Sequence, residues 1–304
     1  MHLNPADFKQ FVQQFRVKPG QKINLKHDFL PDDTAGYKKS KNADDVLEDG
    51  VELLAAYQDK LFAENRRGLL VVLQAMDAAG KDSTIKHVMS GVNPAGCQVT
   101  SFKAPSVEEL DHDYLWRCVR ALPARGNIGI FNRSHYEEVL VVRVHPEFLI
   151  GQRLPPDTLG DDLWPLRFRQ INDFERYLVE NGTEIVKIFL HVSKEKQQKR
   201  QLERIDTPEK NWKFNPGDIK ERHFWDAYMA AYEDMLRHTS TEAAPWYVVP
   251  ADRKWFARVA VAAIIAQKLI DMDPQYPVIN DKQRADMQAS RELLLSEAAD
   301  ASSS

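Results

Sequence analysis

Several features of secreted and membrane proteins are missing from this sequence. Two cysteines in 304 residues, Cys97 and Cys118, are too few for a disulfide framework, and their spacing fits no metal motif. The longest apolar run near the C-terminus, Val259 to Ala266, is far too short to span a bilayer. Met1–Pro5 does not begin a secretion signal, because no basic segment followed by an apolar one is present. We therefore expect a soluble protein in a reducing, cytoplasmic setting, with no membrane as partner.

An overall excess of positive charge is also missing, since the formal net charge is -4. A general nucleic-acid binder would carry a basic surface, so we expect no nucleic acid as partner. The charge is unevenly distributed. Residues 194–222 hold nine basic against six acidic side chains, and residues 117–143 hold five against two. Positive charge is therefore concentrated in two segments that could bind an anion.

Short apolar segments that alternate with helical patterns predict an α/β fold. Strands are predicted at 69–73, 98–102, 127–131, 184–192 and 246–250. Helices are predicted near Phe8–Phe15 and at 42–66, 81–90, 106–121, 133–141, 165–181, 194–205, 218–238 and 253–271. Because the strands lack polar alternation, they should be covered on both faces and form a parallel sheet with right-handed crossovers. Ligands then belong at the carboxyl ends of the strands.

Composition divides the chain into three parts. Residues 1–43 are polar and are interpreted as an N-terminal arm. Residues 44–272 carry the alternating pattern and should form the main domain, with a lid at about 194–222. Residues 273–304 are predicted as a C-terminal helix and a disordered tail, and the helix is either an assembly surface or loosely attached.

The most informative motif follows the first predicted strand. Leu69–Leu73 leads into the segment QAMDAAGKDST, in which Gly80 and Lys81 precede a predicted helix. Backbone N–H groups at such a helix start bind phosphate oxygens, and the lysine adds a mobile cation. The segment departs from the pattern G-x-x-x-x-G-K-[ST], because Ala75 replaces the first glycine and Asp82 replaces the hydroxyl residue. A loop altered in this way suggests phosphate chemistry on an unusual donor.

Asp77 adds a carboxylate to this predicted anion site. A carboxylate beside phosphate is costly unless a cation intervenes, so Mg2+ held by Asp77 and phosphate oxygens is one interpretation. A role for Asp77 as a base, or in orienting an acceptor phosphate, is another. A Gly-Lys turn that only enters an ordinary helix is the third. Lys86, five residues after Lys81, either reaches along a phosphate chain or is a solvated surface lysine.

A second polar motif ends the third predicted strand. Asn132 and Arg133 follow an apolar run, where phosphoryl-transfer folds of this type place an acid that holds magnesium. If 133–141 is helical, Arg133 and Glu137 lie on one face, and Glu137 supplies part of the charge that Asn132 lacks. The alternative is Asn132 as the N-cap of that helix, beside a surface pair of Arg133 and Glu137. His135 is interpreted as a packed or solvent-facing side chain.

A third segment carries both cations and aromatic side chains. Lys103 and Arg117 could bind the phosphate of an acceptor. Tyr114 and Trp116 could flank a base, although aromatic residues in a helix are more often part of the core. This segment is therefore the candidate for nucleotide binding.

The helix predicted at 194–205 carries a basic stripe. Lys196, Arg200 and Arg204 recur every four residues and therefore share one face. A charge run of this kind is often only a solvated face. Because it follows the fourth strand, we interpret it as part of a mobile lid that closes arginines over the transferring group and excludes water.

Together these motifs resemble those of the polyphosphate kinase 2 family, specifically its class III members. The matching segments run in order from about residue 45 to 270 and read LQAMDAAGKDSTIKHVMSGVNPAG, SFKAPS, HDYLWR, IGIFNRSHYEEVLVVRVHPE, NGTEIVKIFLHVSKEKQQKR, NWKFNPGDIKERHFWDAY and APWYVVPADRKWF. The resemblance implies a thymidylate-kinase-like P-loop kinase fold, a three-layer α/β sandwich with a five-stranded parallel sheet and a helical lid. It also implies phosphate transfer between inorganic polyphosphate and nucleotides, with class III members acting on both AMP and ADP.

The residue patterns and the resemblance together define a candidate site. The expected catalytic residues are Asp77, Lys81, Asn132, Arg133 and Glu137. The expected phosphate and polyphosphate contacts are Ala78, Ala79, Gly80, Asp82, Ser83, Lys86, Lys103, Arg143, Arg200 and Arg204. The expected nucleotide contacts are Tyr114, Trp116 and Arg117. By resemblance, asparagine at 132 and glutamate at 137 are usual for class III, whereas Ser83 stands where glycine is common.

We therefore expect a phosphotransferase that moves the terminal phosphoryl group of inorganic polyphosphate to AMP and ADP, reversibly. The expected metal is Mg2+ at Asp77, with Mn2+ as an alternative. The expected partners are polyphosphate, AMP, ADP and ATP, with GMP and GDP as further candidates, and a second copy of the chain in a homo-oligomer. Two rivals remain open: an ATP-dependent nucleoside monophosphate kinase on the same fold, and a non-catalytic polyphosphate-binding protein.

Overall fold

A five-stranded parallel sheet forms the centre of the described part of the chain. The computed structural model describes residues 5–38, 43–160 and 162–301. The strands are β1 (Gly68–Ala75), β2 (Cys97–Ser101), β3 (Ile128–Asn132), β4 (Thr183–His191) and β5 (Trp246–Pro250), and their order in the sheet is β2-β3-β1-β4-β5. All five predicted strands are confirmed, each with its ends within two residues of the prediction.

The strands are apolar because both faces of the sheet are covered. Every residue of β1 is buried, and so are all five residues of β3. Such strands carry no polar alternation, which is the pattern expected where helices pack on both sides. Since β1 lies between β3 and β4, the loop that follows β1 emerges at the middle of the carboxyl edge.

Helices connect the strands throughout the described residues. The α-helices are α1 (Pro5–Gln13), α2 (Ala43–Glu64), α3 (Lys81–Val88), α4 (Val107–Leu110), α5 (Trp116–Val119), α6 (Val141–Val144), α7 (Leu149–Gln152), α8 (Leu163–Glu180), α9 (Lys194–Asp206), α10 (Pro216–Glu221), α11 (Trp225–Thr239), α12 (Lys254–Met272) and α13 (Asp281–Ala301). Short 3-10 helices lie at Pro94–Gly96, His135–Val139, Pro146–Phe148, Pro156–Thr158, Pro208–Lys213 and Arg222–Phe224.

The helices form separate layers on the two faces of the sheet. On one face α12 packs along α2 and α3, and Lys268 of α12 pairs with Glu184 of β4 at 2.5 Å. On the other face Lys187 of β4 donates hydrogen bonds to Glu175 of α8 and to the carbonyl oxygen of Thr239 of α11. Because positions 184 and 187 are an odd number apart in one strand, their side chains point to opposite faces. The predicted three-layer α/β sandwich is therefore confirmed.

Three helices predicted as continuous are broken. The predicted helix 106–121 is split into α4 and α5, because Asp113 Oδ1 accepts a 2.9 Å hydrogen bond from a backbone N–H two residues later and forms a local turn. The predicted helix 133–141 begins later and as a 3-10 helix, since Arg133 has a left-handed backbone with φ of 65°. The predicted helix 218–238 is divided into α10, a 3-10 turn and α11.

Part of the segment predicted as an N-terminal arm packs on the main domain. The ring of Phe11 in α1 lies 6.1 Å from the ring of Phe256 in α12, measured between centroids, in an edge-to-face contact. The segment after α1 forms an antiparallel bridge with β5, and the N–H of Val17 donates to the carbonyl oxygen of Trp246 at 2.9 Å. These residues therefore add to the core and cover the outer edge of β5.

The C-terminal helix α13 confirms the helix predicted after the main domain. Its side chains are exposed over residues 281–297, the part for which side chains are described. Exposed apolar side chains on it are Met287, Leu293, Leu294 and Leu295. The predicted disordered tail, 302–304, lies outside the described residues. Within the described ranges, no helix combines the length and apolar character needed to cross a membrane.

Candidate active site

The loop between β1 and α3 has the backbone of a phosphate cradle. Ala78 and Gly80 are both left-handed, with φ of 59° and 110°. Among the described residues no side chain caps α3, which begins at Lys81, so its first N–H groups are available to an anion. Ala75, at the position of the usual first glycine, is still part of β1 and pairs with Leu190 of β4. The strand thus continues through a position at which the usual loop has already begun.

Lys81 is buried beside this loop, with 9% of its surface exposed. Its Nζ donates to the carbonyl oxygens of Ala75 at 2.8 Å and Met76 at 3.4 Å. Burial, and next the charge of Arg133, lower the pKa of Lys81 to about 8, although Asp77 raises it. An anion in the loop would stabilise the charged form, so proton uptake should accompany anion binding near this pH.

Arg133 joins the loop after β1 to the turn after β3. Its Nη2 donates to Asp77 Oδ1 at 2.5 Å, and its Nη1 lies 3.6 Å from Glu137 Oε2. The N–H of Arg133 donates to the carbonyl oxygen of Leu73 at 3.0 Å, which places the residue directly at the end of the sheet. Burial lowers the pKa of Arg133, but Glu137 and Asp77 raise it above its ordinary value. Asp77, Lys81 and Arg133 are thus brought together at the carboxyl edge.

Asn132 lies beside the start of α3. Its Nδ2 donates to Asp82 Oδ1 at 2.7 Å and to Ser101 Oγ at 3.2 Å. Its Oδ1 is buried and has no hydrogen-bond partner among the described residues. The cap of the following 3-10 helix is Ser134, whose Oγ accepts from the N–H of Tyr136 at 3.2 Å. The alternative of Asn132 as the N-cap is therefore wrong.

A cleft of about 710 Å3 opens beside this cluster. Its walls come from the loop after β1 and from the segments 102–117, 133–152 and 215–232. The predicted site residues that line it are Asp77, Lys103, Tyr114, Arg117, Arg133 and Glu137. A cleft of this size, with polar groups at one end, can accept a nucleotide and makes this the candidate active site.

Arg117 and Lys103 supply positive charge to a second wall of the cleft. Arg117 Nη1 donates to the carbonyl oxygen of Lys103 at 2.8 Å and lies 3.6 Å from Glu109 Oε2. The guanidinium carbon of Arg117 lies 5.3 Å from the ring centroid of Phe102, in a cation–π contact. Lys103 itself is exposed. Arg117 is therefore fixed in place, whereas Lys103 is able to move toward a ligand.

Several predicted site residues do not line the cleft as the structure has it, among them Trp116, Arg143 and Lys86. Trp116 stacks on His112, with ring centroids 4.0 Å apart, because the turn before α5 folds the two rings together. Arg143 Nη2 donates to Asp234 Oδ2 at 2.5 Å, so its guanidinium forms an ion pair with a carboxylate of α11. Lys86 is exposed on α3. The nucleotide contact of Trp116 and the phosphate contacts of Arg143 and Lys86 stay predictions, because none of these side chains lines the cleft in the described structure.

Other loop residues predicted to contact phosphate offer backbone rather than side-chain groups. The carboxylate of Asp82 is bound to Asn132, and Ser83 Oγ accepts from Arg258 Nη2 at 2.9 Å. The N–H of Ala79 donates to a carbonyl oxygen within the loop at 3.2 Å. The N–H groups of Asp82 and Ser83, in the first turn of α3, are among the groups that an anion could use.

The lid helix α9 contacts the loop instead of the cleft. Arg200 Nη1 donates to the carbonyl oxygens of Ala78 at 3.1 Å and Ala79 at 2.7 Å. Arg204 Nη1, one turn later, pairs with Asp218 Oδ2 at 3.1 Å. Neither arginine lines the cleft in the described structure. That both arginines close over the transferring group stays a prediction, since in the described structure their guanidinium groups are bound to oxygen atoms of the protein.

Sequence reasoning missed several residues around the site. Gln197, one turn before Arg200, donates from Nε2 to the carbonyl oxygen of Asp77 at 3.0 Å. An uncharged side chain inside a charged run gave no functional signal. Tyr228 and Tyr232 of α11 line the cleft, and their spacing of four residues could have indicated a shared face.

A buried polar network supports the turn that carries Arg133. Nζ of Lys187 donates to Glu175 Oε2 at 2.5 Å and to the hydroxyl of Tyr136 at 2.9 Å. Burial, the largest effect, raises the pKa of Glu175, but Lys187 and His135 together lower it below its ordinary value. His135 Nε2 lies 3.5 Å from Glu175 Oε1, and the ring is buried, which confirms the interpretation of His135 as a packed side chain.

Asp77 of the loop and Glu137 of the turn after β3 both lie beside the guanidinium of Arg133. Across the described ranges, no group of three or more His, Cys, Asp and Glu side chains could hold a metal ion. Mg2+ is usually held by one or two carboxylates together with water and substrate phosphates. These residues therefore fit a magnesium ion that arrives with a phosphate ligand, and they do not fit a tightly held structural metal.

Comparisons with known proteins agree with this geometry. A profile of the family Polyphosphate kinase 2 matches residues 37–277. The chain is 49% identical to an ADP-polyphosphate phosphotransferase of Rhodopseudomonas palustris, over 93% of this chain and 98% of that protein. It is 46% identical to an AMP/ADP-polyphosphate phosphotransferase of Meiothermus ruber, over 88% of this chain and 96% of that protein. The crystal structure of Polyphosphate Kinase 2 from Arthrobacter aurescens TC1 matches with a TM-score of 0.83 and 39% identity, covering 97% of both chains.

Proposed function

This chain belongs to the polyphosphate kinase 2 family, and we propose that it transfers the terminal phosphoryl group of inorganic polyphosphate to AMP and to ADP. The observation that carries the proposal is that Arg133, from the turn after β3, joins Asp77 and Lys81 at a loop that lacks the first glycine and the hydroxyl of a nucleotide-binding loop. The names of two similar proteins, which specify ADP or both AMP and ADP, support this choice of acceptors.

In the proposed reaction a terminal phosphate oxygen of the acceptor attacks the terminal phosphorus of polyphosphate. A new P–O bond forms while the P–O bond to the next unit breaks, and the shortened polyphosphate leaves with that electron pair. Negative charge spreads over the oxygens around phosphorus in the transition state. Lys81 and Arg133 stabilise this charge, and Arg133 needs little reorganisation because Asp77 and Glu137 already fix its guanidinium.

The second wall of the cleft supplies the acceptor site in this proposal. Arg117 and Lys103 bind the acceptor phosphate, and Tyr114 lies against the nucleoside. The fixed guanidinium of Arg117 positions the acceptor, since its contacts with Glu109 and Phe102 hold it in one place. GMP and GDP are proposed as further acceptors, because the wall residues named here do not select one base.

Mg2+, or Mn2+ in its place, would be held by Asp77 with Glu137 nearby and would neutralise charge on the phosphate oxygens. We further propose that transfer is reversible, since the bond that forms and the bond that breaks are both phosphoanhydrides when ADP is the acceptor. A reducing, cytoplasmic setting and a homo-oligomer remain proposals. The free thiols of Cys97 and Cys118 support the first, and the exposed apolar residues of α13 support the second.

The test is turnover of AMP and of ADP with polyphosphate as the sole phosphoryl donor. We expect ADP and then ATP to accumulate, and we expect less product when ATP replaces polyphosphate as donor to AMP. Faster transfer from ATP would identify a nucleoside monophosphate kinase instead. Tight polyphosphate binding without any nucleotide turnover would identify a binding protein.

A further inference from the structure

Two side chains of the lid helix α9 hold three successive peptide groups of the phosphate loop. Gln197 Nε2 donates to the carbonyl oxygen of Asp77 at 3.0 Å. Arg200 Nη1 donates to the carbonyl oxygens of Ala78 at 3.1 Å and Ala79 at 2.7 Å. The first turns of α9 are therefore attached to the loop through its backbone, whatever the loop binds.

The same arginine also binds the loop that follows β5. Arg200 Nη2 donates to the carbonyl oxygens of Ala251 at 2.7 Å and Asp252 at 3.2 Å. Only 6% of Arg200 and 1% of Gln197 are exposed. Both terminal nitrogens are bound to carbonyl oxygens, so the guanidinium bridges two loops, and its remaining N–H, on Nε, is buried without a partner among the described residues.

This arrangement decides where the N–H groups of the loop point. In a planar trans peptide the N–H of one residue points away from the C=O of the residue before it. Because the carbonyl groups of Asp77 and Ala79 are held toward α9, the N–H groups of Ala78 and Gly80 are directed to the other side of the loop. Successive N–H groups with a common direction are what an anion-binding loop requires.

We propose that Arg200 and Gln197 are positioning residues that fix the phosphate loop and influence polyphosphate transfer through its backbone, without contact with polyphosphate. The proposal rests on the proposed function, since polyphosphate is taken as the ligand of the loop. It also divides the lid. The part of α9 up to Arg200 is fixed to the loop, and the segment beyond it is the part free to close.

The decisive variant is Arg200→Lys in the full-length enzyme. It keeps the positive charge but loses the planar fork that reaches both loops, so we expect kcat to fall on the order of 10- to 100-fold, as far as in Arg200→Gln. The matched control is Lys199→Gln, which removes a positive charge from the exposed neighbour on the same helix turn and should leave kcat unchanged. The dependence of KM for polyphosphate on salt should keep its slope in Arg200→Gln, because the variant retains every ion pair between protein and phosphate.

A substrate-free measurement separates this proposal from the proposed function. Hydrogen exchange at residues 77–81 should be faster in Arg200→Lys and in the nearly isosteric Gln197→Leu, with the rest of the protein protected as in the wild type. Two results would overturn the positioning role: full activity of Arg200→Lys, or unchanged exchange in the loop of Arg200→Gln together with a salt slope that is shallower by the amount expected for one phosphate. Failure of the wild type to use polyphosphate would refute the proposed function, and the exchange experiment would still decide the role of Arg200.

Discussion

Arg133 and Asp77 follow different strands, yet the guanidinium of one donates a 2.5 Å hydrogen bond to the carboxylate of the other. The phosphate loop thus carries its own counter-charge for Arg133. Glu137, 3.6 Å from the same guanidinium, adds a second negative charge. We therefore expect an incoming phosphate to compete with two protein carboxylates for Arg133, so the pair should influence both affinity and turnover.

The variant Asp77→Asn should separate these two effects. We expect turnover to fall on the order of 10²- to 10³-fold, because the carboxylate that orders the reacting groups is lost. Without added divalent metal, however, polyphosphate should bind more tightly to the variant than to the wild type, since the guanidinium of Arg133 loses a competing anion. Steady-state kinetics and binding titrations with a chelator present measure the two quantities.

Asp82→Asn is the matched control for that experiment. Asp82 belongs to the same loop region, but its carboxylate accepts from Asn132 and does not touch Arg133. It removes the same charge, so an equal gain in metal-free affinity would show a general electrostatic effect and contradict the competition between Asp77 and Arg133.

The lowered pKa of Lys81 predicts proton uptake when polyphosphate binds. With a pKa of about 8, part of Lys81 is neutral in the free protein near that pH. A bound polyanion favours the charged form, so binding near this pH should take up as much as about half a proton per site. Calorimetric titrations in buffers of different ionisation enthalpy measure this uptake.

Lys81→Arg supplies the comparison for proton uptake, because arginine stays protonated at this pH. The uptake assigned to Lys81 should be missing from that variant. Equal uptake by both proteins would mean that another group titrates and that the buried ammonium is already fully charged.

The sequence predicted the sheet and the central cluster because both depend on local patterns. Apolar strands can be recognised from their composition. Polar residues at the carboxyl ends of parallel strands must meet at one edge of the sheet, as Asp77 and Arg133 do. The role of Arg200 could not be predicted in this way. Its partners are carbonyl oxygens of Ala78 and Ala251. Every residue has a backbone carbonyl, so such an acceptor cannot be recognised from the pattern of side chains. The partner of Arg143, Asp234, is 91 residues away and belongs to no motif.

Lys103 and Arg117 place positive charge on the second wall of the cleft. This charge should make the binding of polyphosphate or of the nucleotide depend on salt. Lys103→Gln removes an exposed cation that lines the cleft. The slope of log affinity against log salt should therefore become shallower by about 0.7 for each phosphate that the variant no longer neutralises. Comparison of AMP with polyphosphate as the titrated ligand shows which of the two uses Lys103.

Lys282→Gln provides the charge control, because Lys282 lies on the exposed helix α13. It makes the same change in net charge away from the cleft. If both variants shift the slope equally, the effect comes from the overall field of the protein and Lys103 does not touch the ligand.

The buried ion pair of Lys187 and Glu175, on the face of the sheet that α8 and α11 cover, should contribute strongly to the free energy of unfolding. Lys187→Met leaves the carboxylate of Glu175 without its cation in the core, which typically costs about 3–5 kcal/mol of unfolding free energy. Urea unfolding near neutral pH measures this loss, and the double variant Lys187→Met/Glu175→Leu should recover much of it. The hydroxyl of Tyr136 also loses its 2.9 Å hydrogen bond from Lys187 in both variants, so recovery will be incomplete.

The effect of pH on this loss has a definite sign. In the wild type Lys187 lowers the pKa of Glu175, so the stabilisation from the charged pair is present above the unfolded pKa of the carboxyl group and is lost only as pH falls through the lowered folded value. In Lys187→Met the lowering by Lys187 is lost, and burial, the largest effect, should raise the pKa of Glu175 although His135 still lowers it, so the carboxyl group takes up a proton at higher pH and becomes neutral. The stability difference between wild type and variant should therefore narrow as pH is lowered. A difference that stays constant from neutral to acidic pH would instead assign the loss to packing around Tyr136 and not to the unpaired charge.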